Sequence, residues 1–300
     1  MPNVKRGLRP SIARKGVDPF VAVVGSANLD IVLAVSRRPV AGETIMGQGL
    51  QETAGGKGLN QALSAVRVAS TTFIGSVGRD HAAQQIEEAL DSAGVDVTYL
   101  VRHDMATGRA YIQVTPDGEN SIIVLALANS AMSPTETLAA LDKANPTLVL
   151  TQFEVPRDVT VAVAQWCRQT GVRLVLNPSP VQPIDIDAIS NADPLIVNQV
   201  EAQTILGVDS NDDQYLALQL ADRFESIVLT AGSNGAFVIS GGEIVHISGE
   251  QVKVVDTTGA GDAFAGTLAA HLAHGTKLVD SAMLANREAA RIIQLTREAR

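Results

Sequence analysis

Asp256 and Asp262 stand six positions apart, with the turn Thr257-Thr-Gly-Ala-Gly261 between them and the apolar, helix-forming run Ala263 to Ala270 behind them. A helix opening at this turn leaves the amides of Gly259, Ala260 and Gly261 without intrahelical acceptors and able to face an anion. Asp262 then falls in the first turn, where the helix dipole favours a carboxylate, and can act as a general base beside that anion pocket. The combination suits phosphoryl transfer, in which positioning and neutralisation of phosphate charge supply nearly all the catalysis. Taken alone, Gly-Ala-Gly reads equally well as a plain strand-to-helix turn with Asp262 as an ordinary first-turn acid.

A second glycine-rich turn, Ala54-Gly-Gly-Lys-Gly-Leu-Asn-Gln-Ala62, also opens a helical pattern and carries a lysine and an asparagine. With Gly25-Ser-Ala-Asn-Leu-Asp30 near the start, these segments resemble the ribokinase (PfkB) family of sugar kinases. The resemblance runs from about Val21 to about Asn286, with the motifs in the family's order and at its usual intervals. It implies a three-layer α/β/α domain with a mainly parallel central sheet and a small β-sheet lid, an ATP-dependent sugar kinase activity, Mg²⁺ with the ATP, and a homodimer clasped through the lid.

Residue by residue, the resemblance assigns Asn28 and Asp30 to the sugar. A carboxylate and an amide at the C-terminal edge of a sheet, where open α/β folds bind ligands, can hold vicinal hydroxyls; the pair could also simply end a strand. Gly55, Gly56, Lys57 and Asn60 would form the opposite wall. Glycines there admit close approach to the backbone and Asn60 supplies a donor and an acceptor, although on composition alone Lys57 is a surface cation. Glu154 aligns with a further sugar contact, or else is a buried or capping carboxylate. On the nucleotide side, Asn198 and Glu201 would organise the metal and phosphates through water, since Mg²⁺ keeps several waters and few protein ligands. Gln199 stands where relatives often carry a second acid. Thr230, Gly232 and Gly235 would contact ATP phosphates, though a Gly-x-x-Gly loop by itself is usually a hairpin connection. Asn286 would lie near the adenine, an isolated helical asparagine being ordinarily solvent-facing. Asp256 and Thr258 would hold one side of a K⁺ site. The family's Arg-x-Gly-Ala-type loop is not found in Arg291 to Arg300, which predicts weak or absent K⁺ activation. Leu127-Ala-Asn129 replaces the family's Gly-Ala-Asn in the lid segment.

Composition agrees with a soluble enzyme. Of 300 residues, 46% are hydrophobic and 18% charged, enough apolar material for a large α/β core. The net charge of -9 disfavours nucleic acid and anionic membranes, but amides and Mg²⁺ can still hold phosphates on an acidic protein. The single cysteine, Cys167, has no intrachain partner; it suits a reducing cytoplasm and packing as a small hydrophobe. No run reaches the ~18 apolar residues of a membrane span. Residues 1–19 form a separate basic segment (Lys5, Arg6, Arg9, Arg14 and Lys15 against Asp18) without an apolar h-region, expected to be a solvated tail, with a transit peptide as the alternative.

The elements that must position these residues follow from apolar runs alternating with amphipathic ones. Strands are predicted at 20–25, 71–74, 147–151, 172–177, 195–198 and 226–230, and helices at 60–68, 82–92, 157–170 and 213–223. Antiparallel pairs at 31–35 with 44–52, and at 109–115 with 121–126, make the lid, the second joined by Pro116-Asp-Gly-Glu-Asn120. Residues 20–300 read as one domain, with lid strands within 31–52 and 109–126. A regulator that binds sugar or nucleotide without catalysis is the rival of another class. A dinucleotide-dependent oxidoreductase is disfavoured, because Gly25 to Asp30 lacks Gly-x-Gly-x-x-Gly.

Overall fold

The computed structural model describes residues 18–296 apart from Gly118. The basic segment therefore lies, up to position 17, outside the described residues, as do positions 297–300. In chain order the elements are β1 (Phe20–Val24), β2 (Asn28–Ala34), β3 (Gly49–Gly55), α1 (Lys57–Ala65), β4 (Ser70–Val77), α2 (His81–Ser92), β5 (Asp96–Arg102), β6 (Gly108–Val114), β7 (Asn120–Leu125), α3 (Pro134–Ala144), β8 (Leu148–Gln152), α4 (Arg157–Thr170), β9 (Arg173–Asn177), α5 (Ile186–Ile189), β10 (Ala192–Asn198), α6 (Gln199–Leu206), α7 (Asp213–Ala221), β11 (Ser226–Thr230), β12 (Ala236–Ser240), β13 (Glu243–Ile247), α8 (Ala260–Ala273) and α9 (Leu278–Ile292).

Nine strands form one sheet in the order β13-β12-β11-β10-β9-β8-β1-β4-β5. Pairing is parallel from β10–β11 across to β4–β5, while β12 and β13 add antiparallel to one edge. The central strands are apolar on both faces, as burial between two helix layers requires. Alternate residues of β1 show it: Val21 and Val23 join the core beneath α1, α2, α8 and α9, whereas Ala22 and Val24 join the core on the α3, α4, α6 and α7 side. Cys167 packs in the second core, and burial pushes its thiol pKa up, away from reactivity.

The lid is a separate sheet, β3-β2-β6-β7. β2 and β3 pair antiparallel from Asn28↔Gly55 to Ala34↔Gly49, and β6 pairs parallel to β2 and antiparallel to β7. The first lid strand thus begins three residues before the predicted Ile31, and Asp30 lies inside it. Residues 44–48 are not strand. The connection is braced before them by an ion pair of Arg37 with Glu43, and ladder pairing starts only at Gly49. Leu29 and Ile31 pack with Ala82 of α2, seating the lid on the main domain.

Order along the sheet reverses at β1, whose neighbours are β4 and β8. Such a reversal opens a crevice at the C-terminal ends of the strands. The segments after β1, β8, β9, β10 and β11 all arrive at that edge.

Candidate active site

Asp262 is buried in the first turn of α8, and Gly259, with φ 75°, caps that helix. The left-handed turn needs glycine there. Among the described residues the amides of Gly259 and Gly261 have no acceptor, whereas that of Ala260 reaches Thr257 O at 3.3 Å. Two of the three expected anion donors are therefore open, and the third is engaged. Asp256 Oδ1 accepts from Thr258 N at 2.8 Å, bracing the turn from its other end.

The Asp262 carboxylate is held from α1. Gln61 Nε2 donates to Oδ1 at 3.0 Å and Asn60 Nδ2 lies 3.4 Å from Oδ2. Gln61 also donates to Asn177 Oδ1 at 3.2 Å and accepts from Gln152 Nε2 at 2.7 Å. Gln152 Oε1 is buried without a hydrogen-bond partner, while the matched donors and acceptors leave these amides little freedom.

Around α1 the residues expected from the sequence to meet a sugar converge. Glu154 Oε2 accepts from Ser26 Oγ at 2.6 Å and from Lys57 N at 3.1 Å, so the carboxylate stands at the helix N-terminus, where charge complements the dipole. Burial alone would lower the Lys57 pKa, but the carboxylates of Asp262, Glu154 and Glu201 outweigh it and hold the ammonium above the ordinary lysine value. Gly56 adopts φ 95° at the start of α1. Gly55 faces Asp30 so closely that a Cβ would fall 2.4 Å from its carboxylate carbon. Asn28 is buried, its Oδ1 accepting from Asn129 Nδ2 at 2.8 Å, while Asn129 Oδ1 accepts from Ala27 N at 2.9 Å. Ser26, Asn28, Val124, Asn129 and Glu154 share a cleft of about 380 Å³. A larger groove of about 1140 Å³, lined by Pro19, Thr147, Glu225 and their neighbours, sits at the opposite edge of the sheet and contains none of the motif residues.

Farther along the same edge, Asn198 and Glu201 form a capping box on α6: Asn198 Oδ1 accepts from Glu201 N at 2.8 Å, and Glu201 Oε2 accepts from Asn198 N at 2.9 Å. Gln199 bridges to Asp213 of α7 at 2.7 Å. Thr230 lies beside Asn198 in the ladder and donates its hydroxyl to Val197 O at 3.3 Å. Gly232 and Gly235 lie in the β11–β12 connection, both with positive φ, and a Cβ on Gly235 would fall 2.0 Å from Ile247 O. Asn286 of α9 donates to Ser248 O at 3.1 Å. The chain after α9 returns to the Asp256 segment, Ile293 O accepting from Val255 N at 2.7 Å and Asp256 N at 3.2 Å. No cluster of three or more His, Cys, Asp or Glu side chains suited to a metal ion occurs among the described residues.

One compact group thus unites Asn28, Asp30, Gly55, Gly56, Lys57, Asn60, Glu154 and Asp262, and the remaining motif residues follow along the edge. Sequence reasoning passed over Ser26, Gln61, Asn129, Gln152 and Asn177. Gln61 and Asn129 lie inside motifs already singled out, and Gln152 and Asn177 are polar residues ending apolar strands, the one signal that could have marked them.

The model of the pfkB family carbohydrate kinases matches residues 18–298. Ribokinase from Bacillus subtilis (strain 168) is 36% identical over 273 residues, covering 90% of this chain and 91% of that protein. Deoxyribokinase from Salmonella typhi is 31% identical, with 83% and 84% covered. The solved structure of Arabidopsis thaliana ribokinase complexed with ribose and ATP superposes with a TM-score of 0.85 at 31% identity, covering 93% of each chain. An α/β domain with its crevice at the strand reversal, a glycine turn opening α8 onto a buried aspartate, and agreement along nearly the whole chain lead to one assignment: the chain belongs to the pfkB family of carbohydrate kinases.

Proposed function

We propose that the protein transfers the γ-phosphoryl group of ATP to O5 of D-ribose. The observation that carries this is Asp262, buried at a helix N-terminus whose Gly259 and Gly261 amides are open among the described residues, and tied to the same α1 whose first turn borders Glu154, Asp30 and Asn28. Asn28, Asp30 and Glu154 offer acceptors and a donor to the ring hydroxyls, and Lys57 offsets the carboxylates gathered there. Asp262 takes the proton of the attacking hydroxyl as the O–P bond forms and the bond to ADP breaks. The open amides of Gly259 and Gly261, with Ala260 once its weak bond to Thr257 is released, stabilise the transferring oxygens.

Mg²⁺ arriving with ATP would supply charge neutralisation at the phosphates. Glu201 fits a water-mediated role: its Oε2 is committed to the capping box, and Oε1 has no hydrogen-bond partner among the described residues. Asn198, Thr230, Gly232 and Gly235 would line the phosphates and Asn286 the adenine side. Asp256 and Thr258 offer oxygen ligands to K⁺, and kcat measured against KCl at constant ionic strength tests that site. The exposed apolar strand β7 (Ile122, Ile123, Val124 and Leu125) argues for a homodimer through the lid. A reducing, cytoplasmic setting suits the buried, unpaired Cys167.

Phosphorylation assays with ribose, deoxyribose, fructose, adenosine and pseudouridine test the substrate. Ribose should give the highest kcat/KM; the deoxyribokinase relative makes deoxyribose the second reading. Equal or better turnover of a nucleoside contradicts the proposal.

A further inference from the structure

We infer that Gln61 is the positioning residue for the base: it ties Asp262 Oδ1 at 3.0 Å, so that Oδ2, which has only the longer 3.4 Å contact from Asn60 Nδ2, is the oxygen that meets the acceptor hydroxyl. The inference rests on the reading of Asp262 as general base. A carboxylate only accepts hydrogen bonds, so the edge of the Gln61 amide facing Oδ1 at 3.0 Å is its NH₂. The second hydrogen of that group goes to Asn177 Oδ1 at 3.2 Å, since the Asn177 NH₂ is committed to Ile196 O at 3.1 Å. Gln61 Oε1 is thereby turned to Gln152 Nε2 at 2.7 Å. Each amide has one orientation, and the series starts from the charge on Asp262.

The backbone is shaped to allow it. Gly266 of α8 faces α1 where a Cβ would fall 2.2 Å from Gln61 O, so the two helices approach more closely than any other residue permits. Gly25 likewise leaves room for Gln152, whose Oε1 a Cβ would meet at 2.3 Å. Gln61 and Gln152 are both fully buried, so neither side chain presents surface to a substrate. Substrate binding does not explain them; orientation of Asp262 does. As the hydroxyl proton moves to Oδ2, Oδ1 keeps its bond from Gln61 and the carboxyl group stays in register with the attacking oxygen. Misplacement of a reacting group by about 1 Å costs on the order of 10²-fold in rate.

Gln61→Met keeps the length of the side chain and removes its hydrogen bonds. The expected result is a folded protein whose KM values for ribose and ATP stay within about threefold, and whose kcat falls about 10- to 100-fold, the pattern of an interaction made in the transition state. Gln61→Glu keeps an acceptor for Gln152, removes the donors to Asp262 and Asn177 and sets a second carboxylate against Oδ1; it should lose kcat at least as severely, and wild-type kcat in it overturns the inference where the methionine variant does not fold. Asp262→Asn is measured alongside. Loss of kcat in Asp262→Asn with wild-type kcat in the folded Gln61 variants overturns the positioning role alone. Wild-type kcat in Asp262→Asn overturns the base assignment itself. A rise in KM at unchanged kcat in the Gln61 variants also overturns the inference, since it would make Gln61 a binding residue.

Discussion

At the scale of single residues, the site is defined as much by missing side chains as by those present. Gly55 is the sharpest case. Its hydrogen occupies space that a Cβ could take only by coming within 2.4 to 2.6 Å of the Asp30 carboxylate. Gly55→Ala should therefore displace Asp30 while the fold persists. The expected outcome is a ribose KM raised at least about tenfold, corresponding to a loss of about 1.4 kcal/mol in binding, with ATP KM little changed. Lys57 gives a second prediction. Its folded pKa is raised above the ordinary 10.5, so its stabilising contribution is complete below that pH and is lost as pH climbs through the folded value. The difference in thermal midpoint between wild type and Lys57→Met should stay constant between about pH 6 and about pH 9 and shrink only in strongly alkaline solution. The residue types were legible: Asp262, Lys57 and Glu154 stand in recognisable motifs. Their supports were not, because Gln61, Gln152 and Asn177 come from three elements far apart in the chain and acquire meaning only through hydrogen bonds across the sheet edge.

Among elements, α6 separates structure from chemistry. Asn198 and Glu201, expected from sequence to serve metal and phosphate, also cap their own helix. Asn198→Ala removes a cap worth about 1 kcal/mol and should lower the melting temperature by roughly 2–4 °C. Glu201→Gln retains an oxygen for the capping box but loses the charge. It should melt close to wild type while requiring more Mg²⁺ for half-maximal rate at fixed ATP; an unchanged Mg²⁺ requirement would leave Glu201 a cap only. Strand and helix runs such as β11 and α4 were legible to the residue, because their apolar periods are uninterrupted and end in clear breakers. The edge strands β5 and β13, and β12 beside the latter, were not: β5 and β13 are half-exposed and mixed in composition, so their pairing depends on the sheet they join. Leu127 marks another limit. It holds φ 45°, the left-handed conformation that the usual glycine would supply, so the backbone of the segment is kept at a cost of roughly 1–2 kcal/mol.

For the whole molecule, the lid links the site to assembly. The strip Ile122 to Leu125 is 44–61% exposed on an edge strand, and Val124 also lines the cleft beside Asn28 and Glu154. A partner lid covering β7 would thus close over the same cleft. Sedimentation velocity at micromolar concentration should show a dimer for wild type and a monomer for Ile123→Arg, with ribose KM raised in the monomer. A wild-type monomer contradicts the arrangement. This surface was partly readable, since an apolar run after a Pro-Asp-Gly turn signals a hairpin whose edge needs cover.

The central claim is that Asp262 drives transfer of phosphoryl from ATP to ribose O5. The most direct measurement is ³¹P NMR of the reaction with ATP, Mg²⁺ and ribose, run in parallel for wild type and Asp262→Asn. Wild type should convert ATP to ADP and ribose 5-phosphate in equal amounts. Asp262→Asn should bind ATP normally and form that product slower by ~10²–10⁴. A phosphate ester at another hydroxyl, ADP formed without a sugar phosphate, or undiminished turnover by Asp262→Asn would contradict the account.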